Sequence, residues 1–197
     1  MPEAPAFEPV TATVLRADRV RALRLAELAC SAQPVFYELF PVPWPEIVDG
    51  VAMQLAEPGF DMEHVFVLRD GPDVAVVTGV AMPLLPASQM AAMAALLRLV
   101  PGPQKKTFLT RMRAYAASVE PIHDTGHYIS RVAVAPERRG KGLGRGVVGE
   151  YGRRLGPQKV HLHVHRDNAP AVAVYLSLGY VPRSNGDYVF AAYTREP

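Results

Sequence analysis

Six consecutive residues, Arg139-Gly140-Lys141-Gly142-Leu143-Gly144, bring three glycines and two cations together. An apolar run precedes them (Ile129, Val132, Ala133, Val134), and helical spacing follows (Val147, Val148, Tyr151, Leu155). Strand, glycine-rich turn and helix in that order leave unpaired backbone N–H groups at a helix N-terminus, where the helix dipole also favours negative charge. Such a site binds phosphate oxygens. Without a Cβ, Gly140, Gly142 and Gly144 let a phosphate come close to the backbone. Lys141 and Arg145 either add phosphate contacts or stand as solvated cations on the rim. The expected chemistry is retention of a phosphorylated ligand.

The two familiar nucleotide patterns fit this turn poorly. A Walker-type loop needs Ser or Thr after Gly-Lys, and here Gly142 follows Lys141. A dinucleotide fold sets its glycines after the first strand, with an acid about twenty residues later. This turn lies past the middle of the chain, and residues 159–165 carry no acid. A second constellation is more specific: Asn168 is followed by Ala171, Tyr175, Gly179 and Tyr180 at offsets of three, seven, eleven and twelve.

Taken with Arg139-x-x-Gly142-x-Gly144, this second segment closely resembles the GNAT superfamily of acyl-CoA-dependent N-acetyltransferases. The family pattern is Arg or Gln-x-x-Gly-x-Gly or Ala, then Asn-x-x-Ala-x-x-x-Tyr-x-x-x-Gly-aromatic. The run Val132-Ala133-Val134-Ala135-Pro136-Glu137 also looks like the family's strand leading into the loop, and the close match covers about residues 128–182. The resemblance implies a GNAT-like α/β fold: a central mixed sheet with splayed middle strands, flanked by helices. It implies acetyl-CoA as cosubstrate, with no metal. Backbone groups around Val132, Ala133 and Val134 would pair with the pantetheine arm, and amides from Arg139 through Gly140, Lys141, Gly142, Leu143 and Gly144 to Arg145 would cradle the pyrophosphate. Asn168 matches a position that contacts the cofactor arm, and Tyr175 the usual general acid. A phenol suits that step, since it stays protonated at neutral pH and can donate to a departing thiolate. On its residues alone, Tyr175 reads as a core tyrosine beside the stripe of Ala171, Val174 and Leu178.

Other titratable residues are less defined. His161, His163 and His165 alternate, so they share one face of a strand. Neighbouring i, i+2 imidazoles rarely close a zinc site without a partner Cys or carboxylate pattern. They make either a polar strand face, with Val160, Leu162 and Val164 toward the core, or a proton relay lining the acceptor cleft. Glu120, His123, Asp124 and His127 are candidate bases or simply polar loop residues. Cys30 is the single cysteine, in no nucleophile motif, which points away from a ping-pong route and to a reducing compartment, while the resemblance implies direct transfer to an amine.

The elements that must position these groups read as a mixed α/β order. Residues 1–9 look like a loose proline-rich tail, and residues 10–197 like one domain. The alternating, β-branched residues 11–16 read as a strand. Asp18 caps a helix, and another runs from Pro45 to about Ala56. Residues 64–69 and 74–82 form a hairpin about Asp70-Gly71-Pro72-Asp73. Residues 87–100 and 105–119 are helical, making 86–120 a longer helical insertion than the simplest GNAT pattern has. It reads as a cap on the cleft or as a homodimer surface. Strands at 128–135 and 159–165, a helix at 170–178, and a hairpin about Ser184-Asn185-Gly186-Asp187 complete the chain.

Composition narrows the partners. A net charge of only +2 gives no global attraction to nucleic acid or to a membrane surface. The longest apolar run, residues 74–85, is broken by Pro83 and is too short for a span. The expected setting is cytoplasmic, and the resemblance implies a small-molecule or peptide amine as partner. Lys105, Lys106, Arg111 and Arg113 either favour an anionic acceptor or face water. A non-catalytic acyl-CoA-binding or regulatory domain and a nucleotide-binding protein remain as alternative readings, with nucleic-acid binding a distant one.

Overall fold

A computed structural model describes residues 5–57, 64–184 and 186–197. Its strands are β1 (Ala6–Pro9), β2 (His64–Arg69), β3 (Asp73–Ala81), β4 (His127–Val134), β5 (Val160–His165), β6 (Val181–Pro182) and β7 (Phe190–Arg195). They form one sheet in the order β1-β2-β3-β4-β5-β7-β6. β4 and β5 are parallel, joined by a crossover helix, and the other neighbours are antiparallel. The helices are α1 (Ala12–Ala17), α2 (Arg19–Ser31), α3 (Pro34–Tyr37), α4 (Trp44–Ala56), α5 (Leu85–Leu97), α6 (Lys105–Ala117), α7 (Leu143–Leu155) and α8 (Ala169–Ser177).

Strand alternation divides the apolar residues between two cores. Val65, Val67, Val76 and Ala133 face Leu25 and Leu28 of α2 and Ile47, Val51 and Leu55 of α4. Leu96 of α5 and Phe108 of α6 join this same cluster. On the opposite face, Ala75, Val77, Ile129 and Leu162 pack against Val147, Val148 and Tyr151 of α7 and Tyr175 of α8. The sheet is therefore covered on both sides, and the elements carrying the glycine turn and Tyr175 share one face.

Two N-terminal expectations are corrected. Residues 11–16 are not a strand: Thr11 is extended and its hydroxyl accepts from the Val14 N–H, capping α1. One cap and burial of Leu15 outweigh the local β-branched alternation. Nor are residues 6–9 a loose tail. They pair with β2 from Ala6↔Arg69 to Pro9↔Phe66. Phe7 stacks on Phe66 at 5.2 Å, and the Arg154 guanidinium lies 5.1 Å from each ring. Pro9 is tolerated because β1 is an edge strand. Residues 1–4 lie outside the described residues. In the C-terminal hairpin, Val181↔Thr194 and Pro182↔Tyr193 pair, while Asn185 of its expected turn lies outside the described residues.

Candidate active site

The site begins where two strands part. β4 and β5 pair at His127↔Val160, Tyr128↔His161 and Ile129↔Leu162. Beyond that point β4 continues along β3, while His163, Val164 and His165 continue along β7. A bulge explains the divergence. Thr78 faces Arg131 and Gly79 faces Ile129, so Ser130 has no partner on β3. An extra residue bends its strand and increases local twist. Gln33 secures the bulge by donating its side-chain amide to the Ser130 carbonyl at 2.7 Å. On the partner strand, a Cβ at Gly79 would lie 2.6 Å from the Tyr128 carbonyl oxygen and would collide with the Tyr151 hydroxyl. Glycine is required there for the helix and strand to meet so closely.

The parting exposes one backbone edge. The Ala135 N–H donates to the Val74 carbonyl at 2.8 Å, which fixes the ladder's phase. Antiparallel alternation then turns the N–H and C=O groups of Val132 and Val134 away from β3, toward the opening. Ala133 turns its groups toward β3 instead and buries its side chain. The Val134 carbonyl accepts from Arg139 Nε at 3.1 Å, which ties the start of the glycine turn to the strand.

The turn has the conformation its composition suggests. Gly140 and Gly142 both have φ of 75°, a region that favours glycine. A Cβ at either would meet nothing within 4 Å, so open space lies beside the backbone. Gly142 caps α7 without a side-chain hydrogen bond, and the first turn closes with Gly146 N–H to the Gly142 carbonyl at 3.0 Å. The N–H groups of Leu143, Gly144 and Arg145 therefore point out of the helix end. The Arg139 N–H differs, donating to the Pro136 carbonyl at 3.3 Å. Lys141 and Arg145 are exposed.

Asn168 and Tyr175 sit on the other side of the opening. The Asn168 carboxamide oxygen accepts from the Ala171 N–H at 3.3 Å, so this residue starts α8. Tyr175 follows two turns later, 8% exposed, with its ring edge-on to Tyr180 at 5.8 Å. Burial raises its hydroxyl pKa above the ordinary value, so it is a proton donor and not a phenolate.

The opening leads into a cavity of about 1160 Å³. Tyr128, Arg131, Val132, His163, Asn168 and Tyr175 border its sheet side. Phe36 from α3, Met93 and Leu96 from α5, and Met112 and Tyr115 from α6 form its apolar wall. The helices at 85–117 thus wall the cavity. Lys105, Lys106, Arg111 and Arg113 are exposed and do not line it.

The remaining titratable residues separate clearly. Asp124 accepts from its neighbour Thr125 N–H and from Arg183 at 3.1 Å, which hold its carboxyl at about 2. His161 is fully buried, with Nδ1 2.8 Å from Thr194 Oγ1 and Nε2 2.8 Å from the Thr125 carbonyl. His127 is buried edge-on to Tyr151, and His123 is exposed at the cavity border. His165 accepts from the Asp167 N–H and meets Phe190 edge-on. The three alternating histidines therefore have separate partners. Among the described residues, no group of three or more His, Cys, Asp or Glu side chains is placed to hold a metal ion. Cys30 is buried, and burial pushes its thiol up to about 12.

Sequence reasoning gave no role to Tyr128, Ser130 or Arg131. Their places beside the opening come from a bulge and from contacts across strands 35 residues apart, such as Tyr128 with His163. No local spacing announces either.

No helix among the described residues is long and apolar enough to cross a membrane. No curated protein matches the chain by sequence. Solved structures do match its fold. An N-acetyltransferase from Staphylococcus aureus Mu50 is similar at a TM-score of 0.69 and 12% identity, covering 96% of this chain and 99% of that one. A structure described as histone acetyltransferase HPA2 and related acetyltransferase, from Corynebacterium glutamicum, has a TM-score of 0.63 at 18% identity, covering 100% and 97%. The PaiA N-acetyltransferase from Thermoplasma acidophilum, solved in complex with coenzyme A, has a TM-score of 0.55 at 11% identity, covering 99% and 100%. The model of the acetyltransferase (GNAT) family matches residues 97–180, a stretch that contains the bulged strand, the glycine turn, Asn168 and Tyr175. That match lies within a mixed sheet whose fold is similar to that of these solved acetyltransferases.

Proposed function

We propose that this protein transfers an acetyl group from acetyl-CoA to the nitrogen of an amine with an apolar body, by direct attack. The observation that carries the reading is the parting of β4 and β5 after Ile129↔Leu162, with the glycine turn at one end and the apolar cavity behind it. A pyrophosphate fits the turn, because Gly140 and Gly142 leave their Cβ space empty and three N–H groups point out of α7. Val132 offers N–H and C=O, and Val134 offers N–H, to an extended arm added like a strand. The acceptor is a small molecule or an apolar peptide end, since Phe36, Met93, Leu96 and Met112 form the wall it meets.

When bound, acetyl-CoA supplies the activated acyl group. The chain's own residues do the rest. The cavity wall and the β4 edge hold amine and thioester side by side, which makes the attack effectively intramolecular. Outward N–H groups of the β4 edge stabilise charge developing on the carbonyl oxygen. Tyr175 gives its hydroxyl proton to the departing sulfur. Cys30 takes no part, being buried and held as a neutral thiol.

The test is release of free thiol from acetyl-CoA with a panel of amines graded from polar to apolar. Turnover rising with the apolar character of the amine is the expected result. Acetyl-CoA binding with no turnover on any amine would favour a non-catalytic acyl-CoA-binding domain. Turnover confined to charged amines would overturn the acceptor class.

A further inference from the structure

We propose that Tyr128 and His163 form the pair that accepts the proton of the acceptor amine. The proposal rests on the acyl-transfer reading above and adds its missing base.

The hydrogen bonds fix the tautomer. His163 Nε2 lies 2.5 Å from the Glu120 carbonyl oxygen. A carbonyl only accepts, so Nε2 carries the proton. Nδ1 then carries a lone pair, and the Tyr128 hydroxyl, 2.9 Å away, donates to it. The hydroxyl proton thus points at His163, and the oxygen's remaining lone pair is turned away from the ring. Both residues border the cavity, as does Tyr175. Burial raises the Tyr128 hydroxyl pKa above its ordinary value, so Tyr128 is neutral at rest. The proton donor and the proton acceptor of the reaction thereby lie on opposite sides of the β4–β5 opening.

The competing bases are engaged elsewhere. Asp124 is held by Arg183 and Lys159. Both nitrogens of His161 have partners, and His165 Nδ1 accepts from a backbone N–H. Glu120 is the strongest rival. One of its carboxylate oxygens accepts from the Ala192 N–H at 2.7 Å, while its backbone N–H donates to the Phe190 carbonyl. These bonds give Glu120 a positioning role: they pin the carbonyl that orients His163.

The step balances. A neutral amine attacks the thioester carbon, and a C–N bond forms. The nitrogen, now positively charged, loses a proton to the Tyr128 oxygen as the Tyr128 hydroxyl proton passes to His163 Nδ1. The C–S bond breaks, its electron pair goes to sulfur, and Tyr175 protonates that sulfur. Exchange with solvent returns a proton to Tyr175 and removes one from His163. A neutral imidazole suffices, because the nitrogen becomes strongly acidic once the C–N bond has formed. The groups acting on His163 are Tyr128 on β4, Glu120 on the segment before β4, and His161 on β5, with Arg131, Tyr115 and Tyr175 acting on Tyr128. Burial is the largest influence and keeps His163 neutral.

The test uses Tyr128→Phe, His163→Gln, the double variant and Glu120→Gln, with acetyl-CoA and an arylamine that stays neutral across the pH range. Wild-type turnover tests the acyl-transfer reading, and the ratio of each variant to wild type tests the pair. Tyr128→Phe and His163→Gln should each lose about 100-fold or more in kcat. The double variant should lose no more than the worse single one, as expected of residues acting as a unit. Acetyl-CoA affinity should be unchanged, and His163→Gln should remove the acidic limb of the pH profile. Nitrogen NMR of the ligand-free protein should show His163 protonated at Nε2 alone, a readout that stands even if Tyr128→Phe does not fold. Retention of the acidic limb in His163→Gln with its loss in Glu120→Gln would overturn the proposal in favour of Glu120. Turnover within threefold of wild type in either single variant would overturn it too, as would a proton found on Nδ1.

Discussion

Ile129 faces Leu162, and they are the last residues through which β4 and β5 touch as strands. One position later Ser130 bulges out of the β3–β4 ladder. The bulge directs β4 away from β5 and leaves the backbone of Val132 and Val134 facing an opening. The Arg139 side chain then closes on the Val134 carbonyl, so strand edge and glycine turn are held in one fixed relation. A cleft for an extended, phosphate-ended molecule follows from a single unpaired residue.

Gly142 carries the sharpest prediction about the cofactor. Its φ of 75° disfavours any side chain, and the space beside it is empty. Gly142→Asp adds strain and sets a carboxylate where phosphate would lie. Acetyl-CoA affinity should fall about 100-fold or more, the equivalent of two charge-assisted hydrogen bonds. Titration calorimetry of a variant with wild-type melting behaviour checks this.

Tyr175→Phe separates binding from chemistry. The ring stays packed against Tyr180, and only the donated proton is lost. The Kd for acetyl-CoA should hold while kcat falls about 100-fold or more. Equal kcat in variant and wild type would assign the proton to another group. By the same logic Cys30→Ala should keep kcat, at a stability cost of about 1 kcal/mol.

Gly79→Ala tests the packing behind the opening. Its Cβ would press on the Tyr128 carbonyl oxygen and the Tyr151 hydroxyl, so β3, β4 and α7 would have to shift. Overpacking of this kind costs about 1–3 kcal/mol. Denaturant unfolding of wild type and variant gives the difference directly, and an unchanged midpoint would contradict the close approach.

The buried His163 also predicts a pH trend in stability. Burial lowers its folded pKa below the ordinary 6.5. Above 6.5 both folded and unfolded forms are neutral, and its contribution is fully present. As pH falls through 6.5 the unfolded chain takes up the proton first, so stability declines until the folded pKa is passed. His163→Gln should show a flatter decline than wild type below 6.5 in urea unfolding. A parallel decline would place the charge penalty on another group.

The sequence made some of this legible, and the physical reasons differ by residue. The glycine turn was readable because φ of 75° at Gly140 and Gly142 is a local demand that only glycine meets easily. Asp18 was readable as a cap, and its carboxylate does accept from the Arg21 N–H. Thr11 misled, since alternation with Thr13 and Val14 suits a strand as well as it suits a capped helix. Phe7 gained its place in β1 only by stacking on Phe66, about sixty residues away. The Ser130 bulge and the Tyr128–His163 hydrogen bond depend on register between distant strands, which no window of neighbouring residues encodes.

Calorimetric titration with acetyl-CoA, with ATP and NAD as controls, tests the central claim most directly. The geometry predicts micromolar binding of acetyl-CoA, lost in Gly142→Asp, with no comparable heat from either control. Preferential binding of ATP or NAD, or no binding of acetyl-CoA at all, would contradict the assignment of the β4 edge and the glycine turn to a coenzyme A thioester.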